Sequence, residues 1–450
     1  MAIGSSPLRL IAHEARALLT RLARIKPFAL LEPMLPAAAI SLPAQIAIEQ
    51  YLADGRRKLR TSIRTFIAWL ESPMGQQTSP ADVQRRFTLL RLEFNSVISQ
   101  FDTFSDAITQ RSEHETGVWL SGLDVVAADA LALPDFYEAP PVICYLERGP
   151  GAAIRRARTR MPGNTKSPVA VIQVPRERMV GSGIASSLVH EVGHQAGALL
   201  ELVESLRPAL HQRGDGQIVW RYWERWISEI VADFWSVARI GIGSTYGLMA
   251  VVSLPRAFVM RLSEQDPHPV PWLRVKLSCA MGQALYPHPQ WEVAARTWES
   301  FYPLDDLDRQ QRALFANLEQ SMADFVELLI NHRPQMLRGK SLVEVMGVDE
   351  RQPARLLALY QAWRKAPEEM RLAPPSLVFA VIRAPPRINR STISTSSRST
   401  AQCSAVVPST WGTLTLAFRA TAVRTATRSP RIAASATSAG AALAATAPSR

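Results

Sequence analysis

The segment GSGIASSLVHEVGHQAGALLELVESL, residues 181–206, restricts the possible folds of this chain more than any other. It carries His190, Glu191 and His194 in the spacing HExxH, inside a helical pattern that opens after a glycine–serine turn. Histidines four residues apart lie one above the other on the same helical face, so two imidazoles can bind one zinc ion. Glu191 lies about 100° around the helix from His190, at the edge of that face, where its carboxylate can take a proton from a water on the metal. With only eight histidines in the chain, HExxH arises by chance about once in a hundred shuffled sequences. A fold built on this helix must bring a third ligand to it and leave one position open to water.

The third ligand has several candidates. In metzincins the pattern continues HxxGxxH; here His194 and Gly197 fit, but Leu200 stands where that pattern needs histidine. Glu201, Glu204 and His211 follow on the chain, yet residues 201 and 204 lie roughly 10 to 15 Å beyond His194 along a continuous helix, out of reach of a bond of about 2 Å. The segment WERWISEIVADFWSVARIG offers Glu229 and Asp233, four residues apart on one helical face. Glu229 would reach the zinc. Asp233, one turn later, would accept a hydrogen bond from the other nitrogen of a zinc histidine, fixing its tautomer and raising its basicity.

HEVGH followed by EIVAD resembles the gluzincin group of zinc metallopeptidases, which carry HExxH on one helix and ExxxD on the next. The likeness covers roughly residues 168–275. It implies zinc as cofactor, His190, His194 and Glu229 as ligands, Glu191 as general base and Asp233 as the residue orienting a ligand. It also implies that VAVIQV, residues 169–174, is the edge strand along which a peptide substrate lies. The later segment DPHPVPWLR, with His268 and Arg274, resembles the histidine–proline segment and following arginine of some gluzincins of the M48 type, where it lies near the substrate. His268 would then hydrogen-bond the oxyanion of the tetrahedral intermediate, and Arg274 would contact substrate; a proline-rich turn with an incidental histidine is the other reading.

The rest of the chain divides by pattern. Ser6-Pro7, then Leu8, Ile11, Ala15, Leu18 and Leu22, predicts an amphipathic helix, and two more follow Pro43 and Pro80, so residues 1–135 read as a helical N-terminal domain. Residues 136–300 form the catalytic region, where Val142–Leu146 and VAVIQV read as strands on either side of an arginine-bearing loop (Arg155, Arg156, Arg158, Arg160). Residues 301–383 read as a C-terminal helical region. Trp220, Trp223, Trp226 and Trp235 read as packing around the Glu229 helix, and His288 as a loop residue. Beyond Arg383, eight arginines stand among Ser, Thr and Ala with no acid or lysine; this 384–450 tail is expected to be disordered.

That tail carries two thirds of the formal net charge of +12, so the remaining body is only mildly basic and no specific nucleic-acid partner is expected. Three cysteines without a CxxC pair argue against a disulfide framework and fit a reducing compartment. The start lacks a signal-like apolar run, and Ile240–Leu254 is too short for a spanning helix, so a soluble, cytoplasmic protein is expected. The expected fold is α+β and predominantly α-helical: a zincin-like core with a small sheet and added helical regions. The expected function is zinc-dependent hydrolysis of peptide bonds in a peptide or protein substrate, the alternative being a catalytically silent zinc-binding interaction or assembly protein.

Overall fold

The computed structural model describes residues 6–148, 152–158, 166–176, 183–214, 217–263 and 266–383. The tail and Arg160 of the arginine loop lie outside them. The chain opens with α1 (Ser6–Arg24), α2 (Leu42–Glu71), α3 (Pro73–Gln77) and α4 (Pro80–Thr109). Ser41, Ser72 and Ser79 cap the last three by accepting from Ala44, Gly75 and Asp82 backbone N–H groups, and each is followed by proline in the first turn, which the missing N–H makes a good starting residue. Their apolar stripes, among them Leu18, Ile48, Ile63, Phe87 and Phe94, close on one another as a first core. Next comes α5 (His114–Leu131), whose Leu120, Leu123 and Ala127 turn instead into a second core.

Three strands follow, β1 (Val142–Glu147), β2 (Ala153–Arg155) and β3 (Ala170–Pro175), in the spatial order β1-β3-β2. β1 pairs with β3 in parallel, Val142 opposite Ala170, and β2 pairs antiparallel, Ile154 opposite Ile172. Alternate side chains leave opposite faces, so the sheet is a wall between the two cores. Ile143, Tyr145, Val169 and Val171 pack on the N-terminal helices, while Val142, Cys144, Leu146 and Ile172 face the second core.

The VAVIQV strand is therefore central, and its expected place at the edge is corrected: the described edges are β1 and β2. β1 is not open. Gln110 donates from Nε2 to the Leu146 carbonyl and accepts the Leu146 N–H on Oε1, both at 2.8 Å, as a neighbouring strand would. One pleat repeat away, Arg111 donates to the Cys144 carbonyl and Asp124 accepts the Cys144 N–H at 2.7 Å. Arg111 is fully buried and forks onto Asp124 at 2.7 and 3.2 Å. The three-residue β2 has no further strand of this sheet beside it among the described residues.

The second half of the chain is helical: α6 (Gly183–Leu199), α7 (Leu202–Gly214), α8 (Ile218–Ile240), α9 (Ile242–Val252), α10 (Arg256–Val259), α11 (Pro271–Leu285), α12 (Gln290–Phe301), α13 (Arg309–Ile330), α14 (Leu342–Val345), α15 (Pro353–Lys365) and α16 (Pro375–Arg383). One core runs through them from Leu120 to Val381. The helical pattern expected to run through Leu206 breaks at Glu201, which adopts φ +52°. Leu200 and Leu202 are both fully buried, and residues two apart on a helix point about 200° apart, so the chain must turn there for both to enter the core. Among the described residues no helix is long and apolar enough to cross a membrane.

Candidate metal centre

The site is built where α6 and α8 lie against each other. His190, Gly193, His194 and Gly197 form one stripe of α6, and Glu229, Ala232, Asp233 and Ser236 form the matching stripe of α8. Contact is close because the middle of each stripe is small. A methyl group at Gly193 would meet the Ala232 Cα at 2.7 Å and its carbonyl at 2.8 Å, and one at Gly197 would meet Val231 at 3.0 Å. The helices run antiparallel, so the earlier histidine meets the later acid. His190 Nδ1 is 2.8 Å from Asp233 Oδ1, leaving Nε2 aimed at Glu229.

Nε2 of His190 lies 3.3 Å from Glu229 Oε2, and Nε2 of His194 lies 3.4 Å from Oε1. The ligand atoms of these three residues all lie within 4.8 Å of one another, the only such group of three or more His, Cys, Asp or Glu among the described residues. The two rings stand edge to face, 4.8 Å between centroids. Glu229 Oε2 is buried and accepts no hydrogen bond, although three nitrogens surround it. An orphaned carboxylate oxygen facing imidazole nitrogens fits a site made for a cation, and two histidines with one glutamate are a catalytic zinc donor set.

The electrostatics follow from that crowding. Burial would lower the His190 imidazole, but Asp233 and Glu229 outweigh it and raise it to about 9. Burial would raise Glu229, yet the two imidazoles hold it well below the usual carboxylate range. Asp233 is pulled down to about 2, against burial, by Arg274 and His190. Glu191 moves the other way: it is 8 % exposed, and burial pushes its carboxyl up despite the neighbouring histidines.

The remaining candidates are placed as follows. His268 directs Nε2 to within 3.4 Å of Glu229 Oε2 and is held from behind by Asp266, 2.7 Å from Nδ1. Arg274, at the start of α11, forks onto Asp233 through Nε at 2.6 Å and Nη2 at 2.9 Å. Glu201 and Glu204 are exposed, and His211 pairs loosely with Glu224 at 3.9 Å, so none of the three alternative ligands joins the group. Trp223, Trp226 and Trp235 are buried packing residues; Trp223 stacks on Phe325. His288 is exposed in a loop.

A cavity of about 160 Å³ opens onto His190, Glu191 and His268, walled by Ala152, Ser187, Leu248 and Val251. Ala152 immediately precedes β2, and the following turn is tied to α6 by the Ala157 N–H donating to Gln195 Oε1 at 2.7 Å. A larger cavity of about 1000 Å³ among α11, α12 and α13 contains none of the residues named at the metal centre. Asp266, the glycine seam and the α9 wall were not read from the sequence. Only Asp266 carried a signal there, as an acid two residues before His268. No protein-family model, curated protein or solved structure matches the chain.

Proposed function

We propose that this chain is a zinc-dependent, metallopeptidase-like hydrolase of the gluzincin kind, with a zincin-like arrangement of sheet and motif helices. The observation that carries the reading is the convergence of His190, His194 and Glu229 beside a buried Glu191. A zinc ion held there would polarise a scissile carbonyl and make water acidic enough to attack at neutral pH. Glu191 would receive the water proton and pass it to the leaving amine; its burial makes it a better base than an exposed glutamate. Asp233 would fix the His190 tautomer with Nε2 unprotonated and facing the ion. His268, steadied by Asp266, would donate to the developing oxyanion.

The peptide would lie along β2, because Gln110, Arg111 and Asp124 occupy the other described edge. Cys144 and Cys279 are buried free thiols, which supports a reducing, cytoplasmic location. The test is the metal content of the purified full chain, followed by cleavage of a peptide library by wild type and Glu191→Gln. Bound zinc with cleavage lost in the variant supports the reading. Absence of zinc overturns it, and zinc without any cleavage favours a silent binding protein.

A further inference from the structure

Beyond the substrate contact expected of it, Arg274, which lines the small cavity, makes contacts inside the metal centre. Its side chain is 12 % exposed, and the fork described above uses both Nε and Nη2 on the Asp233 carboxylate. Asp233 Oδ1 thus accepts from two donors at once, His190 Nδ1 and Arg274 Nη2, and Oδ2 accepts from Arg274 Nε. Nη2 also stands 3.6 Å from Glu229 Oε2. Each member sits on a different helix: Arg274 on α11, Asp233 on α8, His190 on α6.

A lone aspartate would not be enough here. A carboxylate free to rotate offers an oxygen to His190 at many angles, whereas a planar guanidinium binding both oxygens side-on fixes the carboxylate plane. Three acids, Glu191, Glu229 and Asp233, are also buried in one small volume. Buried carboxylates without a counter-charge are costly, and Arg274 supplies one, its Nη2 standing 3.5 Å from His190 Nε2 beside the ligand atoms. We infer that Arg274 is a positioning residue for the metal centre: it locks Asp233, and through it the His190 ring, in the orientation that presents Nε2 to the cation. This rests on the metal-binding part of the function proposed above.

The decisive variant is Arg274→Lys, which keeps the charge and removes the fork. Zinc affinity of the full chain, measured by competition with a chromophoric chelator, should fall about 10-fold, within the range for loss of a residue orienting a ligand. KM for a cleaved peptide should stay within about 2-fold while kcat falls. Asp233→Asn should weaken zinc binding as well, and adding Arg274→Lys to it should cost little more, because the fork has already lost its partner. Should Arg274→Lys fold poorly, the pair Asp233→Asn with Arg274→Gln removes one buried acid and one buried base together and should bind zinc about as weakly as Asp233→Asn alone. Unchanged zinc affinity with a raised KM in Arg274→Lys would overturn the inference, as would additive losses in the double variant. A wild-type chain that takes up no zinc overturns this inference and the metallopeptidase reading together. Normal wild-type uptake with an unaltered Arg274→Lys affinity overturns this one alone.

Discussion

His190 and Asp233 stand 43 residues apart in the chain and 2.8 Å apart in the fold, Nδ1 against Oδ1. The contact divides labour between the two acids of α8. Glu229 faces the Nε2 atoms where a cation would sit, and Asp233 faces the nitrogen that sits behind. Glu229→Ala should therefore abolish tight zinc binding, while Asp233→Ala weakens it by about 10 to 100-fold. Chelator competition measures both; equal losses would erase the distinction.

Glu191 lines the cavity without belonging to the ligand group. Glu191→Gln should keep zinc at wild-type stoichiometry and lower the rate of peptide hydrolysis by about 10²–10⁴-fold. Metal analysis and turnover on one preparation give both numbers. Zinc loss in this variant comparable to that of His194→Ala would make Glu191 a ligand.

At Gly193 helix α6 lies directly against the backbone of α8. The glycine's missing side chain leaves 2.7 Å between an ideal Cβ and the Ala232 backbone, which cannot move as a side-chain tip can. Gly193→Ala should cost at least about 1–3 kcal/mol in urea unfolding and weaken zinc binding, because the separation shifts the two stripes that carry the site. Full stability would mean that α6 and α8 can part without consequence.

Fully buried Arg111 and partly buried Asp124 form an ion pair at the capped edge of β1. Arg111→Met leaves the acid without its counter-charge and should cost about 3–5 kcal/mol. Adding Asp124→Asn should recover part of that loss, since an amide still offers the Cys144 N–H an oxygen. Urea midpoints of the two variants decide it, and no recovery would assign the loss to packing alone.

Burial lowers the His332 imidazole from its ordinary 6.5, and its Nε2 lies 2.9 Å from Ser205 Oγ. The unfolded chain then binds more protons than the folded one as pH falls through about 6.5, so stability rises with pH there and is lost on acidification until the lower folded value is passed. His332→Gln keeps a partner for Ser205 but cannot titrate. Its melting temperature should therefore gain on wild type as pH falls below about 6.5, and parallel curves would refute the assignment.

The sequence disclosed the site better than the sheet that supports it. HExxH and ExxxD each declare their face through a four-residue spacing that any helix imposes, so His190, His194, Glu229 and Asp233 could be placed without knowing the fold. The partner of Arg274 could not be placed, since a guanidinium's target depends on how α11 crosses α8. The strand order failed for a different reason. VAVIQV is apolar on both faces because two cores flank it, a pattern that belongs to a central strand but was assigned to an edge. β2, three residues inside an arginine-bearing stretch, is too short to show any period. Helix starts were legible wherever serine preceded proline, as at Ser72 and Ser79.

The capped side of β1 has a consequence for how the protein meets other chains. Unpaired strand edges are what let β-rich molecules add to one another without limit. Here Gln110, Arg111 and Asp124 have already spent the hydrogen bonds of one side. Among the described residues, β2 is the edge left for a guest strand, and a contact made there is not passed on through β1.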